Sequence, residues 1–332
     1  FKIAVPGTYS VLHSVPTLES IEPALQVLGT QQHPRCVFMN DSSGKKVKFL
    51  LKGNEDIRLD QRVMQFFTLI NSILNRKRSI RESGTQIVKY AIIPLAPNAG
   101  LITWVTGADT LHQMISDHRA LHGISQGVEF DILDKSVGQY FNHLTSAQKY
   151  EIFRVVAKQY EANEVRDVLW SRAPNAATWL TQDINFTVTT ALMCMVGYVI
   201  GLGDRHPSNI MVQQETGRVI HIDFGDSFES TIMRSAFPEV VPFRLTRMIV
   251  NALDLGTIEG IFRKTCEEVM WVLRESKASI VALLEIFIHE PLEDVDGKGE
   301  LPYQAQIIDR VASKLSGIDE LLFNYDEEHP EM

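Results

Sequence analysis

From Ile184 to Gly203 the chain runs 20 residues without a charged side chain, then breaks directly into Asp204-Arg205-His206. So long an apolar stretch must be covered, either by lipid or by protein. Asn185, Thr187, Thr189, Thr190 and three glycines interrupt it, and polar groups in lipid cost free energy unless they find partners. The stretch therefore predicts a buried core helix and no transmembrane span. The chain can supply the cover: it has 332 residues, 45% hydrophobic and 22% charged. That balance excludes disorder, collagen and coiled coil. A net charge of -9 makes a poor non-specific binder of nucleic acid or anionic lipid. Cys36, Cys194 and Cys266 lie far apart, form no zinc spacing or disulfide framework, and fit a reducing compartment. The chain opens at Phe1 without an initiator Met or a leader, so it is expected to be a piece of a longer polypeptide.

The first hundred residues read mostly as strands. Phe1–Val5 is a short apolar run, and Arg35–Met39 and Lys46–Leu51 flank the turn Asp41-Ser42-Ser43-Gly44 as a hairpin. Val63, Phe66, Phe67, Ile70, Ile73 and Leu74 repeat at helical spacing. Ile87–Leu95 and Leu101–Val105 follow as further strand runs. Beyond about residue 106 the pattern turns helical. Tyr150, Phe153, Val156, Ala157 and Tyr160 share one face, while Gly123–Thr145 reads as irregular. Short β runs recur at Ile210–Val212 and Val219–Ile222, and helices resume near Leu245. Glu293–Gly299 is a charged break before a last helix near Pro302–Leu315 and an acidic end, Asp326-Glu327-Glu328. The layout is a small sheet-rich lobe, a connector near Ile102–Thr106 and a large helical lobe, with a ligand cleft expected between them.

Chemistry concentrates in Gly203–Met211 and His221-Ile222-Asp223-Phe224-Gly225. Asp204 and Asn209 are five apart, and an Asp-Phe-Gly follows after a β-hairpin. Protein kinases share this grammar, because a loop Asp must meet the attacking hydroxyl while an Asn and a second Asp converge on metal at the phosphates. Here the loop reads Asp-Arg-His, with the order reversed. Lys52 ends a β run, as an ATP-contacting lysine should, and Glu55 and Asp60 are candidate acidic partners. No Gly-x-Gly-x-x-Gly or Gly-x-x-x-x-Gly-Lys-Ser/Thr loop occurs, which argues against dinucleotide-binding and P-loop folds.

Gly201–Met211 with His221–Gly225 resembles the phosphatidylinositol-3-kinase-related protein kinases. Pro207-Ser208-Asn209, Ala4–Tyr9 and Val241–Met248 are most similar to the target-of-rapamycin (TOR) group. The resemblance runs from Phe1 to about Pro291 and resumes near Ala305–Gly317. It implies an α+β, two-lobed protein-kinase-like fold of the PI3/PI4-kinase type. The β-rich N-lobe would be residues 1–104 and the mostly helical C-lobe 105–332, with catalytic loop 203–211 and activation segment 223–248. It implies ATP and Mg²⁺ or Mn²⁺ as cofactors. Asp204 and His206 would be catalytic, Asn209 and Asp223 would hold metal, and Lys52, steadied by Glu55 and Asp60, would hold the phosphates. Tyr90, Ile102, Trp104 and Val105 would line the adenine site, with Met211 and Ile222 below the ring. The Asn40–Gly44 turn would cover the phosphates through backbone N–H groups. Leu59 and Thr103 stand where the family has Gln and Gly.

The same resemblance implies protein substrates and a larger TOR-type complex whose β-propeller subunit binds an insertion at 123–164. It also implies a cytoplasmic enzyme that visits lysosomal, vacuolar or other endomembranes. A TOR-type C-terminal tail bearing Trp is not found in the closing residues Glu328–Met332. A phosphoinositide kinase and a catalytically dead scaffold are the rival functions. Between Asp226 and Phe243, Asp226, Glu229 and Glu239 stand against Arg234, a net of -2, which disfavours an anionic headgroup. The apolar residues there, among them Ile232, Phe237, Pro238 and Val240, predict a preference for Pro or an apolar residue after the acceptor. Lys52, Asp204, Asn209 and Asp223 are all present, against the scaffold.

Overall fold

A computed structural model describes residues 3–9, 14–29, 33–228, 230, 239, 241–253, 257–289 and 301–318. The N-terminal part is an antiparallel sheet of β1 (Leu18–Ile21), β2 (Gln26–Val27), β3 (Arg35–Asp41), β4 (Lys46–Gly53), β5 (Ile92–Ala96) and β6 (Ala99–Thr103). Their order is β1-β3-β4-β6-β5, with β2 also on β3. The expected hairpin is β3–β4, in register from Arg35 opposite Leu51 to Asn40 opposite Lys46. Behind the sheet lies α1 (Arg58–Leu74), followed by α2 (Arg78–Ser83). The apolar stripe of α1 is buried as its spacing predicts.

Two strand expectations shrink. Within Phe1–Val5, Ala4 makes only an isolated bridge to Thr17, and Phe1 and Lys2 lie outside the described residues. Ile87–Ala91 is not strand, because the Asn71 side-chain amide takes both the N–H and the C=O of Ile87. A side chain has replaced the ladder there.

The rest is β7 (Ala108–Thr110), α3 (Leu111–Leu121), α4 (Val128–Val137), α5 (Ser146–Gln159), α6 (Glu164–Arg172), α7 (Ala176–Ile200), β8 (Ile210–Gln213), β9 (Val219–His221), α8 (Arg247–Asn251), α9 (Arg263–Glu275), α10 (Lys277–His289) and α11 (Leu301–Ser316). The stretch expected to be irregular holds α4 and a 3-10 turn at Gly138–His143. Buried Arg119 ties this region down. Its guanidinium donates to Glu164 at 2.7 Å, to Glu129 and to the Gln126 carbonyl. On α5 the expected apolar face is only partly buried: Val156 is inside, but Tyr150 and Phe153 are exposed. Glu293–Gly299, the acidic end and Ile232, Phe237, Pro238 and Val240 fall outside the described residues.

Helix α7 holds most of the uncharged stretch, from Ile184 to Ile200. It is long and apolar enough to cross a membrane, yet 72% of its most apolar window is buried inside the protein. Its polar residues have specific work. Gln182 donates to the Gln214 and Glu215 carbonyls, Asn185 donates to the Thr216 carbonyl, and Thr189 Oγ1 accepts the Val219 N–H. They seat the β8–β9 hairpin on the helix, and β7 completes a three-stranded sheet. The main core packs α1 residues Phe66, Phe67 and Ile70 with α7, α9, α10, α11 and Phe224, so both halves of the chain share it.

Gly217 closes the hairpin with φ 73°, and a Cβ there would meet the Gln182 carbonyl oxygen at 2.4 Å. Gly217→Ala is therefore expected to cost about 1–3 kcal/mol. Chemical denaturation measures it, and a loss under about 0.5 kcal/mol, within the range of neutral surface changes, would reject this seating of the hairpin.

Candidate active site

Helix α7 ends at Gly201, in the left-handed conformation that glycine adopts without a Cβ penalty. The chain then turns back beneath the β8–β9 hairpin. Gly203 N–H donates to the Asp226 carbonyl and Phe228 N–H to the Ile200 carbonyl, so the entry to the Asp204–Asn209 loop and the Asp-Phe-Gly exit are stitched together. Arg205, 7% exposed, completes the join. Its guanidinium donates to the carbonyls of Gly203 at 2.7 Å, Ile222 at 2.9 Å and Asp223. Burial lowers its pKa, while the charges of Asp223 and Asp204 oppose that shift.

The loop and hairpin aim three candidate residues. Asn209 is buried, its N–H donates to the His206 carbonyl, and its own carbonyl accepts the Ile222 N–H. Its side-chain nitrogen donates to the Asp204 carbonyl at 2.9 Å, so the amide oxygen is the atom that could serve as a metal ligand. Asp204 and Asp223 both have left-handed backbones, φ 55° and 62°. For non-glycine residues that is strain, held only where the surroundings over-determine it. His206 Nδ1 accepts the Ser208 N–H at 3.2 Å, and its Nε2 lies 3.8 Å from Asp204 Oδ2. With Nδ1 an acceptor, the proton of the neutral ring sits on Nε2, toward Asp204.

From the sheet, Lys52 Nζ donates to Glu55 Oε1 at 2.8 Å. Burial works against its charge, but the Glu55 hydrogen bond and then the charges of Asp223, Glu55 and Asp60 outweigh it and hold the pKa above the ordinary lysine value. Asp60, the other expected partner, does a different job: its carboxylate accepts the Phe224 N–H at 2.9 Å. It thereby fixes Asp-Phe-Gly from the N-terminal lobe. Burial pushes its pKa up to about 6, with the charges of Asp223 and Glu55 adding to the shift. Three carboxylates thus surround Lys52, and Glu55 Oε2 is buried without a partner among the described residues. A divalent cation would relieve that excess of negative charge. The oxygen donors of Asn209 and Asp223 suit a hard cation that takes its remaining ligands from water and phosphate. Among the described residues no three His, Cys, Asp or Glu side chains form a metal cage.

Tyr90, Ile102, Trp104, Val105, Met211 and Ile222 are all half-buried, at the end of the first sheet or on the hairpin. Tyr90 and Ile102 rest on the main core, and the Tyr90 hydroxyl meets the Asp223 backbone. Lys48 Nζ stands 3.5 Å from the Trp104 ring centre. The Asn40–Gly44 turn departs from expectation. Asp41 Oδ1 accepts the N–H groups of Ser43 and Lys45, its carbonyl accepts Gly44 N–H, and Ser42 N–H donates to Thr17. These N–H groups are therefore already committed to the protein. Sequence reasoning also missed the Arg205 clamp and the Asp60–Phe224 bond, since both join residues by tertiary contact and neither leaves a spacing signal.

A family profile described as "Phosphatidylinositol 3- and 4-kinase" matches residues 46–296. The chain is 45% identical over 291 residues to "Serine/threonine-protein kinase TOR" of Oryza sativa subsp. japonica, covering 88% of this chain and 12% of that protein. It is 42% identical over 303 residues to "Serine/threonine-protein kinase mTor" of Drosophila melanogaster, covering 90% and 12%. Among solved structures, the "FAT and kinase domain of CtTel1" superposes with a TM-score of 0.81 at 27% identity, over 98% of this chain and 24% of that one. The chain thus spans only about an eighth of these curated relatives.

Asp60→Asn follows from the site's electrostatics. An acid whose folded pKa is raised stabilises the fold fully below its unfolded value and loses that contribution as pH rises through the folded value. The window here runs from the ordinary 3.8 to about 6, worth on the order of 3 kcal/mol. The variant should flatten the stability–pH curve between those values, read by denaturation across pH. A curve parallel to wild type would reject it.

Proposed function

The chain belongs to the phosphatidylinositol 3- and 4-kinase family, and on that premise we propose that it transfers the γ-phosphate of ATP to Ser or Thr hydroxyls of proteins, as its TOR-named relatives do. The observation that carries this reading is the convergence of Asp204, Asn209 and Asp223 on one clamped hairpin, with Lys52 held opposite by Glu55. Asp204 accepts or orients the proton of the attacking hydroxyl. The Nε2–H of His206 meets charge on the transferring phosphoryl group. Lys52 holds the ATP phosphates, and the half-buried Tyr90, Ile102, Trp104, Val105, Met211 and Ile222 hold the adenine. Asn209 and Asp223 would hold Mg²⁺ or Mn²⁺, which neutralises phosphate oxygens when bound. Catalysis is then positioning plus electrostatics.

A protein acceptor is favoured over a phosphoinositide by the net charge of -2 between Asp226 and Phe243, which gives a phosphorylated headgroup no excess of cations to pair with. We place the enzyme in the cytoplasm, peripheral to endomembranes. Asp223→Ala should reduce phosphoryl transfer by at least ~10³-fold without unfolding the protein. Side-by-side assays on a protein and on phosphatidylinositol measure this. Activity within tenfold of wild type, or faster wild-type turnover of the lipid, would overturn the assignment.

The insertion at 123–164 is proposed as the seat of a β-propeller subunit. Phe130, Tyr140, Tyr150 and Phe153 are exposed there, and large aromatic side chains are typical interface anchors. Deleting the stretch would orphan buried Arg119 by removing Glu129, so point changes are the cleaner probe. Phe130→Asp with Tyr140→Ser should abolish propeller co-purification and keep ATP turnover. Unchanged co-purification would reject the docking surface.

A further inference from the structure

The geometry of the loop depends on how Asp204 is held in its left-handed backbone. Asn209 secures the Asp204 carbonyl from within the loop, and Arg205 and Asp226 secure Gly203 beside it. The Asp204 N–H is secured from elsewhere: it donates to Glu239 Oε2 at 2.8 Å, across 35 positions of sequence. Glu239 is half-buried, and Arg205 and Arg244 both feel its charge. A carboxylate accepting a backbone N–H makes one of the stronger kinds of hydrogen bond, and the two guanidinium groups offset the repulsion it would otherwise exert on Asp204.

We propose that Glu239 is a positioning residue for phosphoryl transfer. Its carboxylate fixes the Asp204 amide, and so the direction in which the Asp204 carboxylate meets the acceptor hydroxyl. Nucleotide binding depends on other groups, Lys52 and the connector, and does not need the contact.

The inference rests on the kinase reading above, so its test needs one readout besides activity. In the full chain, Glu239→Ala should lower kcat about 30- to 100-fold, the scale of a misplacement of about 1 Å, with KM for ATP within about twofold. Hydrogen exchange at the Asp204 amide should accelerate at least tenfold. Glu239→Gln keeps an oxygen at the same reach and should recover kcat to within about fivefold of wild type. Glu239→Asp, one methylene shorter, should fall between. If Glu239→Ala does not fold, the Gln and Asp variants decide: Asp as active as wild type with Gln inactive would overturn the proposal. So would a Glu239→Ala kcat within threefold, a loss carried by KM for ATP, or unchanged exchange at Asp204. Wild-type protein that transfers no phosphate while the exchange result holds would instead strike the kinase reading alone.

Discussion

The buried guanidinium of Arg205 is the join on which the site depends. A buried charge is costly unless its donors are used, and this one uses them on three carbonyls from two chain segments. Hydrogen bonds from a charged donor contribute roughly 1.5–3 kcal/mol each, and one of these holds the carbonyl of Asp223, whose backbone is left-handed. These contacts pin the backbone of the Asp204 loop and of the Asp-Phe-Gly segment without using the side chains of Asp204 and Asp223.

The floor is fixed in turn to the first lobe. Asp60 of α1 accepts the Phe224 N–H, and the Phe224 ring packs edge-on against Phe67 at 5.4 Å. Arg62 on the same helix reaches the Phe287 carbonyl of α10. The two parts are therefore bound through one continuous apolar core and through polar contacts that include these. Preorganisation of this kind is what the proposed phosphoryl transfer would need for electrostatics to act without reorganisation.

Electrostatics explains why such a site calls for a cation. Lys52 feels the charges of three carboxylates, Glu55, Asp60 and Asp223. Burial, with smaller additions from the charges of Asp223 and Glu55, pushes Asp60 upward, and one oxygen of Glu55 is buried without a partner among the described residues. A divalent ion held there with nucleotide phosphates would offset the negative charge of these carboxylates.

The sequence by itself determined the elements with strong local periodicity or fixed spacing. These are the β3–β4 hairpin, the stripe of α1, the long core helix α7 and the Asp204–Asn209–Asp223 pattern on its hairpin. Each is legible because its physics acts within a few residues. Even the polarity of α7 carried information, since Gln182, Asn185 and Thr189 are the groups that seat the hairpin. Only the tertiary structure decided what depends on distant partners. Asn71 converts Ile87–Ala91 from strand to loop, and Arg119 orders a stretch with little pattern of its own. Asp41 consumes the turn's N–H groups. Lys52 pairs with Glu55, while Asp60, eight residues from it, is claimed by Phe224, 164 positions away. A carboxylate's choice between a lysine and a backbone amide is settled by burial and reach, and neither is written in the spacing of a motif.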